Sequence, residues 1–395
     1  MIANVGMATP SESLRIIHVF RAPVGGLFRH VTDLATEQVH QGHQVGIVCD
    51  SLAGGAYEDG ILAALGAEMP LGLIRMPMRR QISPTDLVAA SRLVSHIAGL
   101  SPDVIHGHGA KGGAYARPIG TWLRTWFGNR RKVARIYTPH GGSMHYDPAS
   151  LKGRVYFAAE RLLERMTDTI IHVSQFEADI YRQKVQPPRC AVRVIPNGLR
   201  PDEFVPVEPR NDAKDLLFLG AFREIKGVDV LIEALAQLNA DGLGVTANLV
   251  GQPDGRAAYT ELAKARGIAT SVAFHDPMTA REAFATARAV IVPSRAESMP
   301  YVVLEAIAAG LPTLSTNVGG IPEIYGPFAK ELLPAGDPAT LAAAIKALLA
   351  DPERAKREAA ALRDWVLPRF NIAKMERDVF AAYQAALGVE KRRAA

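Results

Sequence analysis

The sequence predicts an α/β protein built from two successive doubly wound, Rossmann-like domains that face each other across a cleft. At 395 residues, the chain has room for two domains of roughly 150–200 residues each. Short runs of β-branched residues alternate with helical patterns throughout, which is typical of parallel βαβ units. A stretch rich in proline and polar residues, 196–212, separates two such series. Open α/β sheets bind ligands at the carboxyl ends of their strands, so the cleft is the expected site.

The first series contains seven short apolar runs that are predicted to be strands. They are Leu14–Phe20, Gln44–Cys49, Leu71–Met76, Val104–His106, Val133–Thr138, Thr169–Val173 and Val192–Ile195. Helical patterns fill the gaps, for example at Leu27–Gln41 and Ser83–Ala98. In the second of these helices Ser83 is the expected N-cap, Pro84 the first helical residue and Gly99 the stop.

The second series begins at Asp215 and contains five further runs, each followed by a helical segment. They are Leu216–Leu219, Val245–Val250, Val272–Phe274, Ala289–Val292 and Thr313–Ser315. The expected organisation is a first domain, a linker, a second domain and a C-terminal helix that returns toward the first domain. The corresponding ranges are 1–198, 199–214, 215–370 and 371–395.

Composition and charge narrow the classes of protein. Hydrophobic residues at 48% and charged residues at 22% are ordinary for a globular protein. The two cysteines, Cys49 and Cys190, form no CxxC, so a disulfide framework is disfavoured and a reducing cytoplasm is expected. No secretory signal is visible in the first residues and no apolar run spans a bilayer. The predicted location is therefore the cytoplasm or the inner face of the plasma membrane.

The net charge of +5 is unevenly distributed, with +8 in residues 1–200 and −3 in the remainder. A basic N-terminal half favours an anionic partner, such as a diphosphate-bearing acceptor or an acidic membrane face. No nucleic-acid partner is expected. An ordinary solvated surface with excess arginine is the alternative interpretation.

The most specific motif contains two glutamates eight residues apart. The predicted strand Ala289–Val292 runs into a loop that carries Glu297, and Glu305 lies in the helix that follows. Eight residues is a little over two helical turns, so both carboxylates can face one ligand. The helix N-terminus between them is a ready anion site. Its residues are Ser298, Met299, Pro300 and Tyr301, of which all but Pro300 have an amide to donate.

The segment 293–306 resembles the E-x7-E signature of family 4 of the glycosyltransferases, retaining enzymes of the two-domain fold called GT-B. The flanking sequences Ala309-Gly310-Leu311-Pro312 and Gly319-Gly320-Ile321-Pro322-Glu323 resemble the same family. The resemblance extends over nearly the whole chain. Within the family, the sequence is similar to bacterial exopolysaccharide and cell-surface polysaccharide transferases. The family implies a donor on residues 215–340 and an acceptor on the first domain. Two unrelated surface glutamates are the alternative to the signature.

A second motif, 219–227, combines a glycine turn with two cations after a predicted strand. Backbone amides with Arg223 and Lys226 suit a nucleotide diphosphate. In the similar family this loop supplies an arginine and a lysine to the donor phosphates, and Lys226 falls on the family lysine, six residues after Gly220. The family arginine directly follows the glycine. This chain has Ala221 there, so Arg223 is the expected substitute.

Two further glycine positions are predicted to face the donor. Gly25 and Gly26 follow the first strand and precede a helix, where glycine lets the backbone approach a ligand closely. Their position resembles the family's glycine loop, which faces the donor diphosphate. Gly251 follows Val250 and is expected to let the nucleotide base lie against the second sheet. A plain tight turn is the alternative at Gly25 and Gly26.

Histidines follow two of the predicted strands. His140 lies in Thr-Pro-His-Gly-Gly, which resembles the family position where a histidine contacts the donor sugar. His108 is a candidate on the acceptor side, and His106 is expected to be a packing residue. No carboxylate follows at ligand spacing, so no metal site is predicted.

A cluster of aromatic and basic residues suggests a membrane contact. Its members are Trp122, Trp126, Phe127, Arg130, Arg131, Lys132 and Arg135. Aromatic residues beside cations at a helix end suit the interface of an anionic bilayer. A core-facing helix with a basic C-terminal cap is the alternative.

The resemblance implies a retaining, metal-independent hexosyltransferase that needs no cofactor and uses a UDP- or GDP-linked sugar as donor. A saccharide linked to polyprenyl diphosphate is the expected acceptor. Glu305 would bind the ribose, Glu297 and nearby amides the sugar, and Lys226 with Arg223 the leaving diphosphate. His140, Glu297, Lys226 and Arg223 are the predicted catalytic residues. A nucleotide-sugar epimerase, a non-catalytic nucleotide-sugar-binding protein and a pyridoxal-dependent phosphorylase remain alternatives.

Overall fold

A computed structural model describes residues 13–79, 85–126, 132–144 and 146–388 of the chain. The chain divides into two compact units. The N-terminal unit contains the residues up to Val173, then Ala178–Ile195 and the chain from Met375 onward. The C-terminal unit contains Ser174–Glu177 and Pro196–Lys374. The segment expected to be a linker, 199–214, thus belongs to the C-terminal unit.

The described part of the N-terminal unit has a parallel seven-stranded sheet in the order β3-β2-β1-β4-β5-β6-β7. Its strands are β1 Arg15–Phe20, β2 Gln44–Asp50, β3 Leu73–Met76, β4 Val104–His108, β5 Ala134–Thr138, β6 Thr169–His172 and β7 Ala191–Val194. The helices are α1 Gly25–His40, α2 Ala56–Glu68, α3 Thr85–Gly99, α4 Gly109–Trp126, α5 Leu151–Glu164 and α6 Gln175–Lys184, the last of which belongs to this unit from Ala178 onward. The predicted N-cap at Ser83 and Pro84 lies outside the described residues.

Successive residues of β1 face opposite helical layers. Ile17 and Val19 pack in one apolar cluster with residues of α3 and α4. Phe20 packs in another cluster with residues of α1 and α2. A parallel strand that is covered on both faces must be apolar on both. The predicted doubly wound arrangement is confirmed by these two layers.

The described part of the C-terminal unit has a parallel five-stranded sheet in the order β10-β9-β8-β11-β12. Its strands are β8 Lys214–Leu219, β9 Ala247–Val250, β10 Val272–His275, β11 Ala287–Val292 and β12 Thr313–Ser315. The helices are α7 Val228–Ala240, α8 Arg256–Ala265, α9 Ala280–Phe284, α10 Tyr301–Ala308, α11 Ile321–Tyr325, α12 Pro338–Ala350 and α13 Pro352–Val366. Short 3₁₀ turns are Pro201–Phe204, Glu224–Lys226 and Gly326–Glu331. All twelve predicted strands are present, with ends shifted by no more than two residues.

Local sequence explains where the late helices begin. Asp337 and Asp351 cap α12 and α13 by accepting hydrogen bonds from the third amide of each helix. A proline follows each aspartate, at the one helical position where a missing N–H does no harm. The last helix, α14 Ile372–Leu387, contributes all but its first residues to the N-terminal unit. Among the described residues, no helix is both long and apolar enough to cross a membrane.

Candidate active site

The carboxyl ends of β8 and β11 bring together two of the predicted motifs. Lys226 Nζ donates to Glu297 Oε1 over 2.6 Å, although the two residues are 71 positions apart. Ser294 Oγ donates to the same oxygen over 2.7 Å. The Glu297 side chain is 9% exposed and that of Lys226 28%. These strands neighbour each other where the strand order changes direction, which is the usual ligand position in such sheets.

Two glycines explain how the surrounding loops approach so closely. Gly227 has φ +68° and would place a Cβ against the carbonyl oxygen of Pro293. Gly319 has φ +61° and would place a Cβ against the backbone of Glu297. Both positions therefore need a residue with no side chain and a left-handed backbone. The loops after β8, β11 and β12 are held together backbone to backbone, and Glu297 is in the middle.

Arg295 braces this loop, although it was not among the predicted site residues. Its guanidinium forms a fork with the Asp229 carboxylate at 2.5 and 2.7 Å, and it also donates to Glu224 O. The hydrogen bond from Arg295 lowers the pKa of Asp229 below its usual value, against the opposing effect of burial. The pair joins the loop after β11 to the start of α7. Arg223, the predicted phosphate ligand, is exposed.

The predicted anion loop at the start of α10 is fixed by a residue of the Pro196-Asn197-Gly198 turn. Asn197 is buried, and its side-chain nitrogen donates to Met299 O over 2.8 Å. Pro300 is the N-cap residue, and α10 begins at Tyr301. The sequence did not predict this contact. Pro196-Asn197-Gly198 resembles the entry to the family's hinge, but a plain turn explains the same three residues equally well.

Glu305 lies in the second turn of α10, a helix in which seven of eight residues are buried. It is 8% exposed. With Glu203, Phe284 and Ala309 it lines a cavity of about 10 Å³, which is room for a single water at most. Its predicted contact with ribose stays a prediction.

The glycines predicted to face the donor differ in their surroundings. Gly25 has φ +68° and opens α1, while a Cβ there would meet nothing within 4 Å, so conformation and not space favours glycine. Val24, the N-cap residue of α1, supplies no side-chain cap. Gly251 is different, because a Cβ there would collide with the carbonyl oxygen of Gly220. Gly251 is thus required by the packing of the two loops, and its predicted contact with the base is untested.

In the N-terminal unit, the carboxyl ends of β1, β4 and β5 carry a chain of hydrogen-bonded histidines. His18 Nδ1 lies 2.9 Å from His108 Nε2, and His108 Nδ1 lies 3.1 Å from His140 Nε2. The chain ends at Gln38, whose Oε1 lies 2.8 Å from His18 Nε2. His30 of α1 stands edge-on to the His140 ring, with centroids 4.6 Å apart.

Gln38 fixes the tautomer of each histidine in the chain. An amide oxygen only accepts, so His18 Nε2 carries the hydrogen and His18 Nδ1 accepts from His108 Nε2. His108 Nδ1 then accepts from His140 Nε2, by the same reasoning. Burial lowers the pKa of His108 and His140 well below 6.5, and that of His18 to about 4. All three imidazoles are neutral at pH 7.

His106 is fully buried beside this chain and uses both of its ring nitrogens. Tyr383 Oη lies 2.7 Å from Nδ1, and Thr138 Oγ1 lies 2.8 Å from Nε2. Through Tyr383, α14 completes the packing of the strand ends. His18, His30 and Gln38 were not predicted as site residues. The one available signal was that His18, His106, His108 and His140 all lie near the ends of predicted strands, which the strand order makes neighbours.

His140 also has an uncommon backbone conformation. Its φ is +51°, and Gly141 and Gly142 continue with φ +75° and +36°. A non-glycine residue in the left-handed region stores strain of order 1–3 kcal/mol, which is typical of functional sites.

Part of the predicted membrane cluster lies outside the described residues. Phe127, Arg130 and Arg131 are not described, and neither is the side chain of Trp126. Trp122 is 41% exposed, as an interfacial residue requires. Arg135 does not fit the prediction. Its side chain is 12% exposed and forms a fork with Asp168, which also pairs with Arg124. Arg135 is therefore an internal structural cation and not a lipid contact.

Two doubly wound units, each with polar residues at the carboxyl ends of a parallel sheet, are the architecture of the GT-B fold. Residues 24–203 match the family described as Glycosyltransferase Family 4, and residues 213–351 match Glycosyl transferases group 1. The chain belongs to glycosyltransferase family 4 and is a glycosyltransferase.

Relatives and solved structures agree with this assignment. The glycogen synthase of Mycobacterium tuberculosis is 27% identical over 370 residues, which is 88% of each chain. The D-inositol 3-phosphate glycosyltransferase of Frankia alni is 30% identical over 294 residues, 65% of this chain and 68% of the relative. HepE of Anabaena, solved in complex with UDP-glucose, has the same fold, with a TM-score of 0.76 at 17% identity. That comparison covers 94% of this chain and 100% of HepE.

Proposed function

We propose that this glycosyltransferase transfers a hexose, with retention and without a metal ion, from a UDP- or GDP-linked sugar to a lipid-linked saccharide. The observation that carries the proposal is the Lys226–Glu297 pair at the carboxyl ends of β8 and β11. It holds a cation for the diphosphate beside a carboxylate for the sugar hydroxyls. The UDP-glucose bound to HepE supports a nucleotide-sugar donor.

In this proposal Lys226 stabilises the diphosphate as negative charge develops on it. A cation that is already fixed by Glu297 does not have to reorganise during the reaction, which is the basis of electrostatic catalysis. Arg223 is exposed on the same loop and adds charge when the donor is bound. Glu297 and the amides of Ser298, Met299 and Tyr301 receive the sugar, while Glu305 binds the ribose.

His140 contacts the sugar as a neutral acceptor through Nδ1, because its Nε2 hydrogen is donated to His108, which orients the ring. Because burial keeps its pKa well below 6.5, it does not place a positive charge beside the sugar. The departing phosphate takes the acceptor proton on the same face of the sugar, so no covalent nucleophile is needed. Glu297 is already engaged by Lys226 and therefore is not assigned the role of a glycosidase nucleophile.

A donor panel tests this proposal directly. UDP-, GDP- and ADP-sugars are added to the EDTA-treated full chain, and the thermal midpoint is measured, since a ligand of the native state raises it. We expect stabilisation by UDP- or GDP-sugars and transfer to an oligosaccharide diphosphate acceptor with the anomeric configuration kept. Activity that is lost in EDTA and restored by manganese would contradict metal independence. Isomerised sugar from donor alone would favour an epimerase.

The outer face of α5 supports a lipid-linked acceptor, because its composition suits a membrane surface. Leu151, Val155 and Leu162 are 79%, 51% and 55% exposed. The exposed residues beside them include three cations of α5, Lys152, Arg154 and Arg161, and its C-cap residue, Arg165. Apolar side chains among cations form a surface suited to an anionic bilayer.

The acidic residues of α5 point the other way. Glu160 is buried against Arg117, and Glu164 is buried where it accepts from the backbone of Arg189. The exposed face therefore carries positive charge without compensating carboxylates of its own helix. Beside it Arg161, Arg165 and Arg189 line a cavity of about 230 Å³, large enough for a phosphate headgroup. We propose that α5 is the surface that brings the enzyme to lipid-linked acceptor.

Liposome sedimentation tests the α5 surface. Replacing Arg154, Arg161 and Arg165 with serine should abolish binding to vesicles that contain phosphatidylglycerol, because each cation near such a surface contributes about 1 kcal/mol. Serine at the exposed Arg354, Lys356 and Arg357 of α13 is the matched control. If the α5 variant sediments with these vesicles as well as the α13 variant does, α5 is not the membrane surface. Neither variant should bind vesicles made of neutral lipid.

A further inference from the structure

The buried histidines beside the proposed sugar contact also form a candidate metal site. His30, His108 and His140 each offer a ring nitrogen, and the three nitrogens lie within 4.8 Å of one another. The rings are supplied by α1, the end of β4 and the loop after β5, so the grouping arises only in the folded chain. We propose that His30, His108 and His140 form a binding site for a zinc-class divalent cation.

Ligand geometry favours this trio over its neighbour. Four-coordinate zinc with imidazole ligands at about 2.0–2.1 Å places the nitrogens roughly 3.3 Å apart. His108 Nδ1 and His140 Nε2 are 3.1 Å apart, so the two nitrogens need to separate by only a few tenths of an ångström. To bind the ion, both rings turn their lone pairs toward it, and the His140 proton moves from Nε2 to Nδ1. A second trio, His18, His106 and His108, is equally close. In it, however, His106 has a hydroxyl within 2.8 Å of each ring nitrogen.

The residues behind the trio suit a metal-binding histidine. A ligand imidazole is oriented when its other ring nitrogen donates to a fixed acceptor. His108 Nε2 donates to His18 Nδ1, and His18 Nε2 donates to Gln38 Oε1, which leaves His108 Nδ1 as the lone-pair nitrogen.

The chemistry of the ligands defines the class of ion. Among the described residues, the close ligand groups consist of histidine alone, with neither carboxylate nor thiolate. Imidazole suits Zn²⁺, Co²⁺, Ni²⁺ and Cu²⁺, whereas Mg²⁺ and Ca²⁺ prefer oxygen. Three protein ligands leave a fourth position for solvent. The ion would be an inhibitor and not a catalyst, because binding at His140 Nε2 breaks the contact with His108 and leaves Nδ1 protonated, where the sugar otherwise meets a lone pair. This consequence, unlike the binding itself, rests on the proposed function.

Direct binding tests the site without an activity assay. The full chain is stripped with EDTA, desalted and titrated with ZnCl2 in competition with a fluorescent zinc chelator. We expect one equivalent of zinc to bind to the wild type. His30→Asn should weaken binding by at least about tenfold, because loss of a residue that only hydrogen-bonds to a ligand already costs about that much. Gln38→Leu should weaken it by about 10–100-fold. His43→Asn, a buried histidine outside the trio, is the matched control.

The cobalt form of the wild type keeps the test decisive if a variant fails to fold. Co²⁺ should give the visible absorption of a low-coordinate nitrogen site, without a thiolate charge-transfer band from Cys49 or Cys190. Absence of stoichiometric zinc binding, or equal affinity in His30→Asn and the wild type, would overturn the site. If zinc binds as expected but does not inhibit transfer, the site stands and the sugar contact of His140 falls.

Discussion

The two sheets have the same winding but opposite chemistry at their carboxyl ends. In the C-terminal unit, the strand ends carry charges in partly exposed pairs, such as Lys226–Glu297 and Arg295–Asp229. In the N-terminal unit, they carry neutral imidazoles that are fully enclosed, such as His106 and His108. The same topology therefore supplies a charged edge and an uncharged polar edge. A charged edge suits a diphosphate, and a neutral one suits sugar hydroxyls.

The largest expected effect comes from breaking the charged edge. Lys226→Ala should lower kcat about 10²–10³-fold, the usual loss on removing one donor to a developing oxyanion. Lys226→Arg should recover part of the rate, because it restores the charge with different geometry. Steady-state kinetics with saturating donor measures both variants. Lys264→Ala, an exposed ion-paired lysine on α8, is the control, and an equal loss there would refute a specific role for Lys226.

The charged edge also depends on backbone contact, which Gly319→Ala should disrupt. The new Cβ would collide with the backbone of Glu297 at φ +61°, so we expect destabilisation of roughly 3 kcal/mol and reduced transfer. Gly242→Ala is the matched control, since Gly242 has φ +80° but nothing within 4 Å of a Cβ. That variant should lose only about 1 kcal/mol for the backbone strain. Similar urea midpoints for the two would show that the loop tolerates displacement.

A smaller effect sharpens the assignment of the second glutamate. If Glu305 binds ribose, Glu305→Ala should weaken free UDP or GDP and the intact donor alike, by roughly 1.5–3 kcal/mol per charged hydrogen bond. Calorimetry with the free nucleotide measures this loss, and the exposed Glu353→Ala is the control. Unchanged nucleotide affinity would leave Glu305 as a structural residue of α10.

The smallest effect distinguishes Glu376, an enclosed carboxyl of the N-terminal unit, from the paired carboxylates of the C-terminal unit. Burial and the nearby Glu37 carboxylate raise the pKa of Glu376 from 4.5 to about 7. Because the folded value is the higher one, its contribution is fully present below pH 4.5 and is lost as pH rises through 7. Glu376→Gln should therefore stabilise the chain by roughly 1–3 kcal/mol at pH 8 and by little at pH 5. Urea midpoints at both pH values decide this, and a pH-independent gain would exclude titration as the cause.

The sequence by itself determined the strands and the order of the units' elements. Each strand is a short apolar run because both faces of a parallel sheet are covered, and such a run is visible without knowledge of its neighbours. The helix starts at Asp337 and Asp351 are equally local, since a cap and its amide are three residues apart. Gly25 and Gly220 are predicted as donor contacts because they lie in turns directly after strands, and Lys226 because it falls on the lysine of the similar family. These donor contacts stay predictions.

Only the tertiary structure decided which polar groups meet. Lys226 reaches Glu297 over 71 positions, and His18 reaches His108 over 90. Periodicity carries no information about such partners, because strand order and not chain order makes β8 the neighbour of β11 and β1 the neighbour of β4. Arg135 shows the converse: in sequence it is one cation of a basic cluster, yet it pairs with Asp168, which directly precedes the adjacent strand β6, and is turned inward. The sequence determines which side chains are charged, but whether a charge contacts a ligand, a lipid or a carboxylate depends on which strand lies beside it.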